Sequence, residues 1–293
     1  ASFDAFKHGS AMPVVADARA AIEELTELLS GHSVAADYRA EYTNNMSAWN
    51  AAVDASFEPS GLDLPGQSEI IGAVQRAMDE RDVVVCAAGS LPGDLHKLWR
   101  VRDGLGYHVE YAFSCMGYEV AGGWGARMAQ LEDEPEKETV VFVGDGSYLI
   151  QNSDIYSSVL TGKKMIVIIC DNGGFAVINK LQNNTGNVSF GTLIKDSRLA
   201  IAPFSVDFEA HAKSMGALAE TVTSVKELKD AFARARKADR TYVISLKTDP
   251  HEGWTAEGHA WWEVGSPEVS QSEKIRAAHE EIEKGRAKQR PGI

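Results

Sequence analysis

The residues of this chain best suited to chemistry sit at the ends of two apolar runs. Residues 140–143 (Val-Val-Phe-Val) lead into Gly144-Asp145-Gly146-Ser147, and residues 165–170 lead into Asp171-Asn172-Gly173-Gly174. Short β-branched runs bounded by glycine-rich polar residues predict buried strands that end in tight turns. In an open parallel sheet, ligands bind outside the carboxyl ends of the strands, so two neighbouring turns of this kind would face one crevice. Asp145 offers a carboxylate, Asn172 an amide oxygen and Gly174 a backbone carbonyl. Such an all-oxygen set suits Mg²⁺, which favours octahedral oxygen coordination and fills its other positions with water or phosphate. The glycines leave N–H groups open toward an anion, and a helix following Ser147 would add its positive end. The competing description, a plain tight turn at Gly-Asp-Gly, loses weight because the second turn repeats the pattern.

The elements around these turns predict an α/β fold, a doubly wound and mainly parallel sheet with helices on both faces. Residues 11–16 suggest a short strand, and residues 17–30 a helix with Asp17 as N-cap. Residues 34–57 carry a second helical pattern, whose stripe of Tyr38, Tyr42, Met46 and Trp49 reads as packing. Pro59-Ser60-Gly61 and Pro65-Gly66 mark a linker over residues 58–66. Beyond it a helix is expected at 68–80, and a strand at 83–87 that ends in a small-residue loop, 88–93. The stretch 114–123, rich in glycine, starts another helix that permits close approach of a backbone or ligand. A long polar connection follows to Gly191, in which Asn179 and Gln182 are either solvated or contact hydroxyl groups. Ser224 and Glu227 form a capping box for a helix to residue 238, followed by a strand at 242–246. His251, Trp254, His259, Trp261 and Trp262 suit neither a zinc helix nor a triad, and read as a packed lid or interface. Pro267 and Ser270 with Glu273 open a charged final helix.

Composition narrows the classes. With 293 residues and a net charge of -13, the chain is about two domains long and repels phosphate backbones, so nucleic acid is not an expected partner. No apolar run approaches the ~18 residues of a membrane span, and the opening residues do not read as a signal peptide. Cys86, Cys115 and Cys170 show no metal or redox spacing and are expected as reduced, buried thiols of a cytoplasmic protein. A dinucleotide-binding oxidoreductase is disfavoured, because no G-x-G-x-x-G follows the first strand.

The Gly-Asp-Gly at 144–146 with Asp171-Asn172 about two dozen residues later resembles the signature of thiamine-diphosphate-dependent enzymes. The resemblance implies thiamine diphosphate and Mg²⁺ as cofactors, with Asp145, Asn172 and the Gly174 carbonyl as metal ligands. Asp171 departs from the commoner Asn without removing a ligand. It further implies diphosphate and cofactor contacts from Gly89, Ser90, Leu91, Gly146, Ser147, Gly174 and Phe175. Met116 would support the bent cofactor, and the Ser114 carbonyl would accept its amino proton. The runs 87–100, 114–123 and 144–152 are similar to the branch that cleaves a carbon–carbon bond of a cyclic polyol 1,2-diketone by hydrolysis in inositol catabolism. Glu119 and Ala121, standing where acetolactate-synthase-like relatives have Gly and Pro, favour that branch. A carboligase or decarboxylase acting on 2-oxo acids is the alternative, as is a non-catalytic portion needing a partner chain. The resemblance also implies an activating glutamate in a pyrimidine-binding domain, for which residues 1–66 leave no room. Residues 1–57 are therefore expected as the tail of a middle domain, 67–265 as the diphosphate- and metal-binding domain and 266–293 as a C-terminal helix. The missing domain would come from further polypeptide or from another chain of a homo-oligomer, a dimer or tetramer.

Overall fold

Short valine- and isoleucine-rich runs assemble into one sheet in the computed structural model, which describes residues 14–110, 112–186, 188–199, 201, 204–251 and 266–288. In chain order the first elements are α1 (Ala18–Leu28), α2 (Ala36–Ser56), α3 (Gln67–Ala77), β1 (Val83–Cys86), α4 (Ser90–Leu98) and β2 (Tyr107–Val109). They are followed by α5 (Tyr118–Asp133), β3 (Thr139–Gly144), α6 (Asp145–Ile150), α7 (Asp154–Leu160) and β4 (Ile166–Asp171). The remainder comprises α8 (Ala176–Asn184), α9 (Phe208–Ser214), β5 (Leu218–Val222), α10 (Val225–Lys237), β6 (Tyr242–Lys247) and α11 (Glu273–Arg286).

The strand order is β2-β1-β3-β4-β6-β5, and every pairing is parallel. From β1 the chain goes outward to β2 and then returns past β1 to β3, so the order reverses between β1 and β3. A crevice opens at the carboxyl ends of strands where such a reversal occurs. In the β3–β4 ladder Gly144 pairs with Cys170, so Asp145 and Asp171 leave the sheet side by side.

Because side chains alternate along a strand, each strand contributes to two cores. Val84, Cys86, Val140, Phe142, Ile166, Ile168, Ile244 and Leu246 pack under α3, α4 and α10. Val83, Val85, Val141, Val143, Val167, Ile169 and Val243 pack on the opposite face with residues of α5, α6, α7 and α9. Burying each side chain of this size contributes about 1.5–3 kcal/mol relative to exposure. Two glycines let helices seat closely. A Cβ on Gly72 of α3 would lie 2.3 Å from Cγ of Phe57, and one on Gly123 of α5 would lie 2.3 Å from Cγ2 of Val141.

Helix α1 starts where its cap predicts, with the Asp17 carboxylate accepting from Ala20 N–H (3.0 Å), yet it buries none of its residues. Of α2 only Val53 is buried, so Tyr38 and Tyr42 lie in solvent instead of in the expected packed stripe. Ser224 accepts from Glu227 N–H (3.2 Å), but the Glu227 carboxylate returns to Thr223 N–H (2.7 Å) and not to the cap residue.

Several expectations need correction. Residues 14–16 form no strand, and 11–13 lie outside the described residues. The stretch at 88–93 is largely the first turn of α4, and 144–147 is not a free turn, since α6 begins at Asp145. The helix placed at 114–123 starts at Tyr118, after a tight turn. Part of the polar connection before Gly191 is helix α8, and the last helix begins at Glu273 after Ser272, with Ser270 accepting from Ser272 N–H. The edge strands β2 and β5 escape sequence reading because each is short and only partly buried. Cys86 and Cys170 are buried free thiols, but Cys115 is exposed. Among the described residues no helix is long and apolar enough to cross a membrane.

Candidate functional site

Parallel register brings Asp145 and Asn172 together beyond the ends of β3 and β4. The outer atom of the Asn172 amide, placed as oxygen, lies 3.2 Å from Asp145 Oδ1 and 2.7 Å from the Gly174 carbonyl oxygen. Two states of this cluster are chemically sound. With the amide turned, its NH₂ donates to both oxygens; with the oxygen inward, three oxygens converge and require a cation. Adjacent ligands of an octahedral ion with oxygens at 2.0–2.1 Å stand about 2.9 Å apart, and the two separations from the Asn172 amide, 2.7 and 3.2 Å, lie on either side of that value. The residues therefore fit Mg²⁺. Among the described residues no cluster of three His, Cys, Asp or Glu side chains could hold a metal, so the fit depends on the amide and the carbonyl.

The electrostatics agree. Asp145 is 4 % exposed, and burial, followed by repulsion from Asp171, pushes its carboxyl up to about 6. The N–H groups of Gly146 and Gly174 offset part of that rise. Asp171 shapes the turn instead of joining the cluster, its Oδ1 accepting from Gly173 N–H (3.0 Å).

Gly174 has φ +141°, and a Cβ there would meet the Thr192 carbonyl oxygen at 2.6 Å. The turn is clamped from outside, with Phe175 N–H donating to the Thr192 carbonyl (2.8 Å) and Ile194 N–H to the Gly173 carbonyl (2.9 Å). Asn179 and Gln182 brace this clamp. Asn179 is fully buried and donates to Thr192 Oγ1 (3.1 Å), while Gln182 Oε1 accepts from Phe190 N–H (3.1 Å) and Thr192 Oγ1 (3.2 Å). Both amides thus contact a hydroxyl, that of Thr192 within the chain itself; Asn179 is buried instead of solvated, and Gln182 is half-buried.

Met116, Gly146 and Phe175 form one wall. A Cβ on Gly146 would stand 3.1 Å from Cε1 of Phe175 and 3.6 Å from Cε of Met116, and both of these apolar side chains are exposed. Ser114 precedes them with φ +50°, a left-handed conformation that non-glycine residues rarely adopt. Its turn is held by Glu110, whose carboxylate accepts from Phe113 N–H (3.3 Å) and Cys115 N–H (2.9 Å). Ser147 is buried and its hydroxyl donates to Glu119 (2.7 Å), leaving its backbone as the group able to reach a ligand.

On the other side of the reversal point, Gly89 caps α4 with φ +93°. Gln67 Nε2 donates to Ser90 Oγ (2.7 Å), which leaves the Ser90 proton for another acceptor. The side chain of Leu91 lies in the core beneath α4, so only its backbone is available to a ligand. Gln67 carries no sequence signal as a site residue, being a single polar residue in a helical pattern, and Glu119 stands out in sequence only as a marker of the branch. Of the aromatic segment, His251 is exposed and Trp254, His259, Trp261 and Trp262 lie outside the described residues.

An all-parallel doubly wound sheet, with an oxygen cluster beyond β3 and β4 and glycine turns beside the reversal between β1 and β3, defines the diphosphate-binding domain of thiamine-dependent enzymes. Residues 87–246 match the family model for the thiamine pyrophosphate enzyme, C-terminal TPP binding domain, and the chain belongs to that family. It is 36% identical, over 92% of its length, to a 3D-(3,5/4)-trihydroxycyclohexane-1,2-dione hydrolase of Bacillus cereus. It is 35% identical, over the same share, to the hydrolase of that name from Bacillus anthracis. The chain spans 46% of the length of these relatives. Its fold is shared with the thiamine diphosphate-dependent 4-hydroxybenzoylformate decarboxylase of Rhodococcus jostii RHA1, at a TM-score of 0.56 and 18% identity, over 66% of this chain and 34% of that one. Benzoylformate decarboxylase from Polynucleobacter necessarius gives a TM-score of 0.57 at 18% identity, over 68% and 35% of the two chains.

Proposed function

We propose that this chain is the diphosphate- and Mg²⁺-binding portion of an enzyme that hydrolytically cleaves a carbon–carbon bond of a cyclic polyol 1,2-diketone, a trihydroxycyclohexane-1,2-dione, in inositol catabolism. The convergence of Asp145, Asn172 and Gly174 on one point carries the reading, and the names of the relatives support the substrate class. Asp145, Asn172 and the Gly174 carbonyl would hold Mg²⁺. Gly89, Ser90, Leu91, Gly146 and Ser147 would present their backbones, and Ser90 its hydroxyl, to a diphosphate. Met116 and Phe175 would exclude water from the reacting centre and support the ring, with the Ser114 carbonyl accepting a hydrogen bond from its amino group. When bound, thiamine diphosphate supplies an electron sink for breaking a bond next to a carbonyl. In a 1,2-dione the bond between the two carbonyls is the one such a sink would open.

The activating glutamate would be contributed by a pyrimidine-binding domain outside this sequence, within a homo-oligomer. The exposed apolar residues Ile22, Leu25, Leu28 and Leu29 in and just after α1 support the view that residues 1–57 complete a preceding domain. The free thiols Cys86, Cys115 and Cys170 support a cytoplasmic setting. Thermal or urea melting tests the reading. Thiamine diphosphate with Mg²⁺ at a hundredfold excess over its dissociation constant should add ~2.7 kcal/mol of stability, a gain that EDTA cancels and that Asp145→Ala lacks. No gain in the native sequence, or an equal gain in the variant, would refute it.

A further inference from the structure

Glu119, in the first turn of α5, is fully buried (0 % exposed), and no lysine or arginine is among its hydrogen-bond partners in the described residues. Three donors from three segments converge on it instead. Ala88 N–H donates to Oε1 (3.1 Å), while Gly117 N–H (3.0 Å) and the Ser147 hydroxyl (2.7 Å) donate to Oε2. Gly117 N–H also donates to Ser147 Oγ (2.8 Å), which closes a ring of Glu119, Gly117 and Ser147. A buried carboxylate is expensive to desolvate, and a well-packed apolar residue would commonly serve a core as well or better. What the carboxylate achieves here is geometric. Ala88 precedes Gly89 and Ser90, Gly117 follows Met116, and Ser147 follows Gly146, so one side chain ties together three separate segments of the cleft. The turn around Gly117 leaves little latitude, since its φ is +94° and a Cβ there would meet Gln151 Cβ at 2.7 Å.

We infer that Glu119 is a positioning residue whose carboxylate registers the loop after β1, the Met116 turn and the start of α6 into a single surface for thiamine diphosphate. It acts through Ser147 and the two backbone amides without touching the ligand. The inference rests on the cofactor reading above. In Glu119→Gln the side chain keeps its shape and its acceptor for Ala88, but an NH₂ group now faces Gly117 N–H, and the Ser147 hydroxyl must reverse. The Met116 turn and α6 lose their common anchor while the apolar packing stays.

Calorimetric titration with thiamine diphosphate plus Mg²⁺, and separately with inorganic pyrophosphate plus Mg²⁺, tests this. On the cofactor reading, thiamine diphosphate would meet all three segments, whereas pyrophosphate would not reach the Met116 turn. Glu119→Gln should weaken thiamine diphosphate about tenfold or more, as expected for loss of a charge-assisted hydrogen bond, and pyrophosphate only about twofold. Ser147→Ala should weaken thiamine diphosphate similarly, and the double variant should bind no worse than Glu119→Gln alone, because both act through one bond. Equal losses for the two ligands, or no loss for either, would overturn the proposal in favour of a purely structural role. Additive losses in the double variant would also overturn it. Should Glu119→Gln fail to fold, Ser147→Ala decides, and unchanged binding in it overturns the proposal. Absence of binding by the native sequence would instead strike the cofactor reading itself, and this proposal with it.

Discussion

Replacing Asp94 with asparagine should stabilise the protein at neutral pH and leave its stability unchanged in acid. Asp94 lies one turn below Ser90 on α4, is 6 % exposed, and its Oδ2 has no hydrogen-bond partner among the described residues. Burial pushes its carboxyl up from 3.8 to about 6, against the opposing pull of Lys180 and Lys97. Between these two values the native protein holds a proton that the unfolded chain has released, so this residue's contribution to stability falls as pH rises. It is fully present below 3.8 and lost by the time pH passes about 6. At 1.36 kcal/mol per pH unit, a carboxyl raised from 3.8 to about 6 costs the folded state ~3 kcal/mol at neutral pH. Asparagine retains the shape without the charge. Urea melts at about pH 7.5 should therefore give Asp94→Asn up to ~3 kcal/mol more stability, with an unchanged dependence on denaturant. In a thermal scan this is a rise of roughly 6 °C for a chain of this size. Near pH ~4 the two proteins should melt together. A variant no more stable than the native protein at neutral pH, or one whose advantage does not depend on pH, would show that the carboxylate is compensated where it lies.

Two further outcomes follow from the close approaches of glycines. Gly174→Ala forces a side chain onto φ +141° and against the Thr192 carbonyl, 2.6 Å away. It should cost about 1–3 kcal/mol in melts and abolish the Mg²⁺-dependent response to thiamine diphosphate, because the turn that offers the carbonyl must move; an unaltered response would contradict the assignment. Gly72→Ala places a methyl group 2.3 Å from Phe57 Cγ and should unseat the end of α2 from α3. The expected loss is about 1–3 kcal/mol, with faster proteolysis within residues 36–56; a protection pattern like that of the native protein would count against close packing there.

The strands that matter were legible in the sequence because their chemistry is local. Val83 to Cys86, the run before Gly144 and the run before Asp171 are too apolar and β-branched for anything but a buried sheet, and each ends in residues that cannot continue it. Asp17 and Ser224 announced their helices for the same local reason, as side chains that satisfy the first free N–H groups. Asp145 and Asn172 were recognisable because the chemistry of a cation restricts the residue types able to hold it. What only the folded chain decides is which ends meet. The order β2-β1-β3-β4-β6-β5, with its reversal beside β1, puts three loops at one point, and no residue encodes that order by itself. The start of α6 at Asp145 is likewise hidden, because a Gly-Asp-Gly is equally at home in a turn. Glu119 reaches Ala88 and Ser147 across 31 and 28 residues, and Asn179 reaches Thr192 across 13. Partners that far apart become neighbours only through the packing of the two cores. Along the sequence Glu119 and Asn179 are single polar residues of helical stretches, and nothing there marks the partners they meet once a sheet has been laid beneath them.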